Sequence, residues 1–406
     1  MEPCGHERPP PAPARSWRHH RAALVGALVA TVAAAGCGAS APAPEPSLHP
    51  PATASDGPTA STATSAPPTS AAFPAGPALG PASDAPTDVL TGLTTPWSLA
   101  FLPGGSLLVT LRDPAQVLLV TADGPAPLTG PGADELAAST LPQGEGGLLG
   151  VAVSPDVEQD RLVYLYRTTT AGNEVVRARL DGTALGALEP VLTGIPAAGN
   201  HDGGRIAFGP DGQLYVGTGD AGVPAAAQDP GTLAGKILRI TPDGDPAPGN
   251  PDPASPVWSL GHRNVQGLAW TADGALLASE LGQDTTDELN LVEAGANYGW
   301  PLVEGVGGRE GLTDPLVTWT TDEASPSGIA VTDDAVHVAA LRGARLWTVR
   351  LTGAEPASEP SATLDLGRLR DVVVGPDGAL WVLTQNTDGR GEPRAGDDRL
   401  VRLLPP

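Results

Sequence analysis

His201 and Asp220 are the residues whose types and placement could carry proton chemistry. His201 stands in Asn200-His201-Asp202-Gly203-Gly204-Arg205, just before the apolar run Ile206–Phe208, and Asp220 ends Thr218-Gly219-Asp220 after the following hairpin strand. A carboxylate in that position can orient an imidazole and hold it as a base. The residues alone leave a purely structural His–Asp pair open. A second set is cationic: Leu260-Gly261-His262-Arg263-Asn264, and Gly367-Arg368-Leu369-Arg370-Asp371. Alternation along a strand puts Arg368 and Arg370 on one face. Two guanidiniums side by side repel unless something anionic lies between them, or unless nearby acids pair with each. A third set runs from Glu280 to Glu288 and on to Asn297-Tyr298-Gly299-Trp300, a dense acidic loop before a Gly-aromatic turn. Carboxylates and loop carbonyls at such spacing suit Ca²⁺, although the pattern is not an EF-hand and a solvated acidic loop reads the same way.

The elements that must position these residues announce themselves as a repeat. Pro103-Gly-Gly-Ser-Leu-Leu-Val, Pro210-Asp-Gly-Gln-Leu-Tyr-Val, Ala272-Asp-Gly-Ala-Leu-Leu-Ala and Pro376-Asp-Gly-Ala-Leu-Trp-Val share one plan, a tight turn followed by an apolar strand. Degenerate copies occur at Pro155-Asp156, leading to Leu162-Val163-Tyr164, and at Asp333-Asp334, leading to Val336-His337-Val338. Asp-Gly between such runs signals a hairpin, because Gly takes positive φ at little cost. Six copies spaced by roughly 50 residues predict an all-β, six-bladed β-propeller of four-stranded antiparallel blades. Helical periodicity is weak and confined to stretches near Leu136 and Ala225.

Composition agrees and excludes other classes. The 406 residues carry 23 Lys+Arg against 46 Asp+Glu, a formal net charge of −23, which argues against a nucleic-acid partner. Lys236 is the only lysine. With 52 Gly and 45 Pro the chain is no helical bundle. Both cysteines, Cys4 and Cys37, fall near the start, so the folded part can hold no disulfide framework, zinc cluster or cysteine nucleophile.

Three regions follow. Arg15, Arg18 and Arg21 precede an apolar run from Ala22 to Ala35 that ends in Gly36-Cys37. The run is too short to span a bilayer and reads as an export signal, residues 1–36, of the lipoprotein kind, with Cys37 the lipidated first residue of the mature chain. Residues 37–83 are read as a disordered tether, since 40 of the 46 residues from 38 to 83 are Ala, Pro, Ser, Thr or Gly. Residues 84–406 form the propeller. The expectation is an exported lipoprotein on the outer face of the cell membrane.

Several segments together resemble the pyrroloquinoline quinone (PQQ)-dependent sugar dehydrogenase family. They are Gly144-Glu-Gly-Gly-Leu-Leu-Gly150, His201 to Asp220, Gly261-His-Arg-Asn-Val-Gln-Gly267, Asp287-Glu-Leu-Asn290 with Asn297-Tyr-Gly-Trp-Pro301, and Arg368-Leu-Arg-Asp371. The resemblance implies PQQ and Ca²⁺ as cofactors and oxidation of aldose sugars to lactones, with electrons going on to an acceptor that the sequence does not name. It implies His201 as general base, Asp220 as its holder, and Arg263 and Asn264 at the reactive end of the quinone. Arg342, Arg368 and Arg370 would receive the cofactor's carboxylates. The carbonyls of Gly282 and Gln283 would bind the calcium beside PQQ, and Glu288 with the Tyr298 carbonyl a second, structural calcium. Glu145, expected to face the cofactor, stands where glucose-oxidising members carry Gln, and Arg342 where the family has Lys. The short Trp300–Trp319 connection implies an open substrate mouth, and Trp319 itself is read as core. Two other readings fit a propeller: a cofactor-free binding module, and a calcium-dependent lactone or ester hydrolase.

Overall fold

The computed structural model describes residues 72–406; the export signal, Cys37 and most of the tether lie outside the described residues. Six sheets of four or five antiparallel strands follow one another along the chain. Their innermost strands are Pro96–Phe101, Leu148–Val153, Ile206–Phe208, Val265–Trp270, Pro326–Thr332 and Leu369–Val374, which define blades 1 to 6. Each innermost strand packs against that of the next blade, and the sixth packs against the first, closing a six-bladed propeller. Blade 6 takes its outermost strand from the start of the domain: Thr87–Leu90 pairs antiparallel with Leu400–Leu403.

The repeat seen in the sequence is the turn between the first and second strands, in all six blades. In blades 3 and 6 the turn Asp caps its own turn, accepting the N–H two residues on: Gln213 to Asp211 at 3.0 Å, Ala379 to Asp377 at 3.2 Å. Gly212 and Gly378 follow at φ 73° and 76°, a region that Gly alone enters freely. The same carboxylates also bind an arginine on the blade's third strand, Arg239 to Asp211 and Arg402 to Asp377. Blade 5 does likewise with Arg350 and Asp334. This arginine is a second part of the repeat, and it accounts for several cations that take no part in the site.

Second strands are sandwiched on both faces, so Leu107–Leu111 and Ala335–Ala340 are buried throughout and, apart from Thr110 and His337, apolar rather than alternating. Side chains from adjacent blades interdigitate, for example Trp97, Leu149, Tyr164, Ile206 and Val216. Trp319 is core, as expected, packed with Leu289, Ile329 and Val338. Helical stretches among the described residues are short: Pro131–Ser139, the single turn Val157–Asp160 and the 3-10 turn Pro224–Gln228.

Residues 72–83, assigned to the tether by composition, lie on the propeller instead. Phe73 packs against the apolar cluster of blades 1 and 2 beneath Arg161, 4.0 Å from guanidinium to ring centroid. Ala75 bridges to Gly105, and Gly80 accepts a hydrogen bond from Arg402. Pro and Ala content signals low burial capacity on average, but one Phe and a few backbone hydrogen bonds suffice to hold this stretch.

Candidate functional site

A meander of four strands puts the first-to-second turns at one end of the propeller. The blade-to-blade connections and the second-to-third loops come to the other, and most of the singled-out residues gather there. A cavity of about 190 Å³ is lined by Glu145, His201, Arg263, Asn264, Gly282, Gln283, Asp287, Arg342, Arg368 and Arg390 among others.

His201 begins blade 3 with φ 60°, a left-handed backbone held by its N–H donating to Glu145 at 2.9 Å. Its Nδ1 lies 2.7 Å from Asp220 Oδ1, and its Nε2 lies 2.7 Å from Arg263 Nη2. A guanidinium only donates, so Nε2 is the acceptor and Nδ1–H donates to Asp220. That tautomer points a lone pair into the cavity, as a base requires. Asp220 is fully buried and has every reason to stay charged. Burial pushes its carboxyl up, but His201, the Trp300 indole N–H at 2.8 Å and the Gly222 N–H at 2.8 Å together hold it below the usual range.

Trp300 reaches Asp220 by an unexpected route. It belongs to the connection between the third and fourth strands of blade 4, which starts at the opposite end. Residues 296–300 run back beside blade 3, pairing in parallel with its outer strand Val257–Leu260: Tyr298 N–H donates to Leu260 and Trp300 N–H to Gly261, both at 2.9 Å. Gln228 fastens the segment through Asn297 and the Trp300 carbonyl. The turn carrying Gln228 is in turn fixed by Lys236, whose buried ammonium donates to the carbonyls of Ala226, Ala227 and Ala234.

Arg263 spans the cavity wall. It donates to Gln283 Oε1 and to the Leu281 carbonyl at 2.9 Å, and stacks over Trp300 with 5.5 Å to the ring centroid. Asn264 is buried, accepting from Gly203 N–H at 3.0 Å and donating to Glu145. The loop bearing Gly282 and Gln283 is shaped by two carboxylates. Asp287 accepts from Gly282 N–H, and Glu304 accepts from four successive backbone N–H groups, Gln283 to Thr286, at 2.7–3.1 Å. Burial raises Glu304, but those four donors outweigh it and hold the group charged.

The arginines separate. Arg368 lines the cavity and pairs with Asp388 at 3.2 Å, while its Nε is buried without a hydrogen-bond partner. Arg342 is exposed and pairs with Asp322. Arg370, expected beside Arg368, is not among the lining residues. It lies buried near the axis, donating to Gln385 and Gln266 at 2.6 Å and to Ser327, and burial and the nearby cations Arg112 and Arg368 pull its guanidinium well down. The strand pairing shifts register between Leu369 and Asp371, which breaks the simple alternation.

Glu288 lies across from Glu280 in neighbouring strands of blade 4, accepting from Gly305 N–H and Asn290. Burial, with Glu280 nearby, raises its carboxyl to about 8. Tyr298 stacks on His262, and His262 in turn bonds Glu280. Among the described residues no three His, Cys, Asp or Glu side chains converge as a ready metal cluster, so a cation here would rely on carbonyl oxygens.

A model of the glucose/sorbosone dehydrogenase family matches residues 93–401, nearly the whole propeller. The chain belongs to that family. Among solved structures of this family is the PQQ-bound aldose sugar dehydrogenase of Streptomyces coelicolor, 50% identical, covering 79% of this chain and 99% of that one at a TM-score of 0.73. An aldose sugar dehydrogenase of Escherichia coli is 31% identical over 335 residues, 73% of this chain and 89% of its own. Quinoprotein glucose dehydrogenase B of Acinetobacter calcoaceticus is 32% identical over 251 residues, about half of each chain. For a member of the glucose/sorbosone dehydrogenase family, the sequence pointed to most of the cavity wall but missed Trp300 as a partner of Asp220, Glu304 and Arg390. Trp300 and Glu304 carry no local signal of their role. Arg390 lies in the turn Thr387-Asp388-Gly389-Arg390, and nothing in that stretch points to Glu145.

Proposed function

We propose that this chain is a PQQ-dependent aldose sugar dehydrogenase in which His201 is the general base. The observation that carries the reading is the His201 tautomer: Asp220 holds Nδ1–H, leaving Nε2 as an acceptor at the cavity wall, where Arg263 now donates to it. The cavity's composition supports an anionic cofactor. Four arginines face two carboxylates, Glu145 and Asp287, in a chain whose net charge is −23, and the buried Nε of Arg368 has a donor to spare. PQQ is a tricarboxylate, so Arg368 and Arg342 would hold its carboxylates, while Arg263 and Asn264 would contact its quinone end. When bound, PQQ would supply the acceptor for the hydride that leaves the sugar, which carries both electrons of the oxidation.

His201 then takes the proton of the anomeric hydroxyl at Nε2, and Asp220 stabilises the imidazolium that forms. Arg263 must swing off Nε2 to admit the sugar, and Gln283 and the Leu281 carbonyl keep it anchored meanwhile. The product is the lactone. Purified protein should take up PQQ, seen by absorbance, and then reduce a dye when given aldoses. His201→Ala should retain PQQ and lose turnover by about 10² or more. Arg368→Ala should weaken PQQ binding by about tenfold or more. A wild-type protein that takes up no PQQ at micromolar concentration would instead favour a cofactor-free binding module.

Calcium belongs to the same reading. The donor set is oxygen only, as a hard cation prefers. The carbonyls of Gly282 and Gln283 would hold one ion at the cofactor, and Glu288 with the Tyr298 carbonyl a second. Such an ion would offset the like charges of Glu280 and Glu288. Melting with and without EGTA should differ by several degrees in the wild type and much less in Glu288→Gln. Coincident wild-type curves would remove the structural calcium.

A further inference from the structure

Glu145 is an anion in the wall of a cavity otherwise suited to anions, and its surroundings explain how it is kept there. Its Oε2 accepts the His201 backbone N–H at 2.9 Å and the Asn264 amide at 3.4 Å. Its Oε1 lies 3.4 Å from Arg390 Nη1. All three neighbours donate. A carboxylate, acceptor on both oxygens, satisfies all three, whereas a glutamine would turn its own NH₂ against one of them.

Arg390 and Glu145 are far apart in sequence and come from different parts of the ring. Glu145 precedes blade 2, and Arg390 sits in the second-to-third loop of blade 6, so the pair spans the end of blade 1. Both line the cavity. Of the four arginines there, Arg263 donates to Gln283 and His201, Arg342 pairs with Asp322, and Arg368 pairs with Asp388. Arg390 alone among them pairs with Glu145. The positive groups also press on one another: burial chiefly disfavours the charged form of Arg368, and Arg390 and Arg342 add to it. Removing Arg390 therefore takes one positive charge from the wall and leaves Glu145 facing the bound carboxylates without its ion-pair partner.

We propose that Arg390 is a positioning residue of the cofactor site that acts through Glu145, cancelling its charge so that a polycarboxylate quinone can bind beside a carboxylate retained to hold the His201 backbone. The proposal rests on the PQQ reading above, and a double-mutant cycle on PQQ affinity keeps the two separable. Dissociation constants would be measured by absorbance or fluorescence titration with PQQ in calcium buffer, for wild type, Arg390→Ala, Arg390→Lys, Glu145→Gln and the double variant Glu145→Gln/Arg390→Ala. Melting of each cofactor-free variant would confirm that it is folded. Arg390→Ala should bind PQQ about tenfold or more weakly. Arg390→Lys should stay within about threefold of wild type, because the charge is kept. The double variant should recover most of the loss, since no carboxylate remains to be cancelled. A double variant as weak as Arg390→Ala would mean that Arg390 contacts the cofactor directly, and would overturn the proposal. So would Arg390→Ala binding like wild type. Absence of PQQ uptake by the wild type would overturn the cofactor reading, and the role of the pair with it.

Discussion

Asp202, next to the proposed base, shows how single residues in this site trade stability for position. It is buried, its Oδ1 accepts from Asn173 and the Ala198 N–H, and its Oδ2 has no partner. Burial raises its carboxyl to about 6, against the pull of those two donors. The folded state thus binds this proton more tightly than the unfolded chain does. Asp202 favours folding fully below about pH 4, and that contribution is lost as pH rises through 6. The loss is on the order of 3 kcal/mol for a shift of this size. Denaturant unfolding at pH 4 and pH 7 should show a fall for the wild type that is smaller by that order in Asp202→Asn. Equal falls would mean that the carboxylate is relieved in some other way. Much of this neighbourhood could be read directly, since His201, Asp220, Arg263, Asn264 and Arg368 all reach the cavity or its wall. What could not be read are pairings between distant residues. Nothing local to Glu145 or Arg390 names the other, and nothing in Asn297-Tyr298-Gly299-Trp300 says that its indole serves Asp220.

At the scale of elements, the segment 296–300 links blade 4 to blade 3 and carries Trp300 to the base. Its hold on Asp220 orients the second carboxylate oxygen, leaving the first to His201 and the Gly222 N–H. Trp300→Phe keeps the ring beneath Arg263 but deletes the donor. It should lower turnover by about tenfold while leaving PQQ affinity and melting temperature nearly unchanged. An unchanged kcat would show that His201 and Gly222 suffice to fix the carboxylate. The hairpin turns were legible because Asp-Gly carries its own mechanism, a side-chain cap followed by positive φ. The returning segment was not, because a parallel addition to an outer strand depends on Gln228 and Lys236 from another blade and leaves no periodic trace. The arginine of the third strands was in plain view in the sequence at Arg239, Arg350 and Arg402, but its partner is the turn of the same blade, so it reads as a repeat only once the blades are known.

Over the whole molecule, the ring is closed by backbone pairing between its two ends, and a strand edge would be left open without it. Removing residues 72–90 should strip Leu400–Leu403 of its outer partner, leaving it paired only with Leu380–Thr384. Melting should then fall by about 5 °C or more, with association through the bare edge visible by light scattering. A truncated protein that stays monomeric and melts like the full chain would show that five complete blades close the ring unaided. The closing pair also has a mechanical character. Thr87 lies opposite Arg402, so tension applied at the two ends would open the pair from one side, one hydrogen bond after another, the weakest way to load a sheet. Yet force arriving from the amino-terminal side meets Phe73 beneath Arg161 first, then Ala75 against Gly105 and Gly80 against Arg402. Those contacts are spread over blades 2, 1 and 6 and take the load before the closing strand does. A pull on the chain ahead of the propeller is therefore absorbed at its rim, and the blade that carries Arg368 and Arg390 stays intact until that stretch has been torn away.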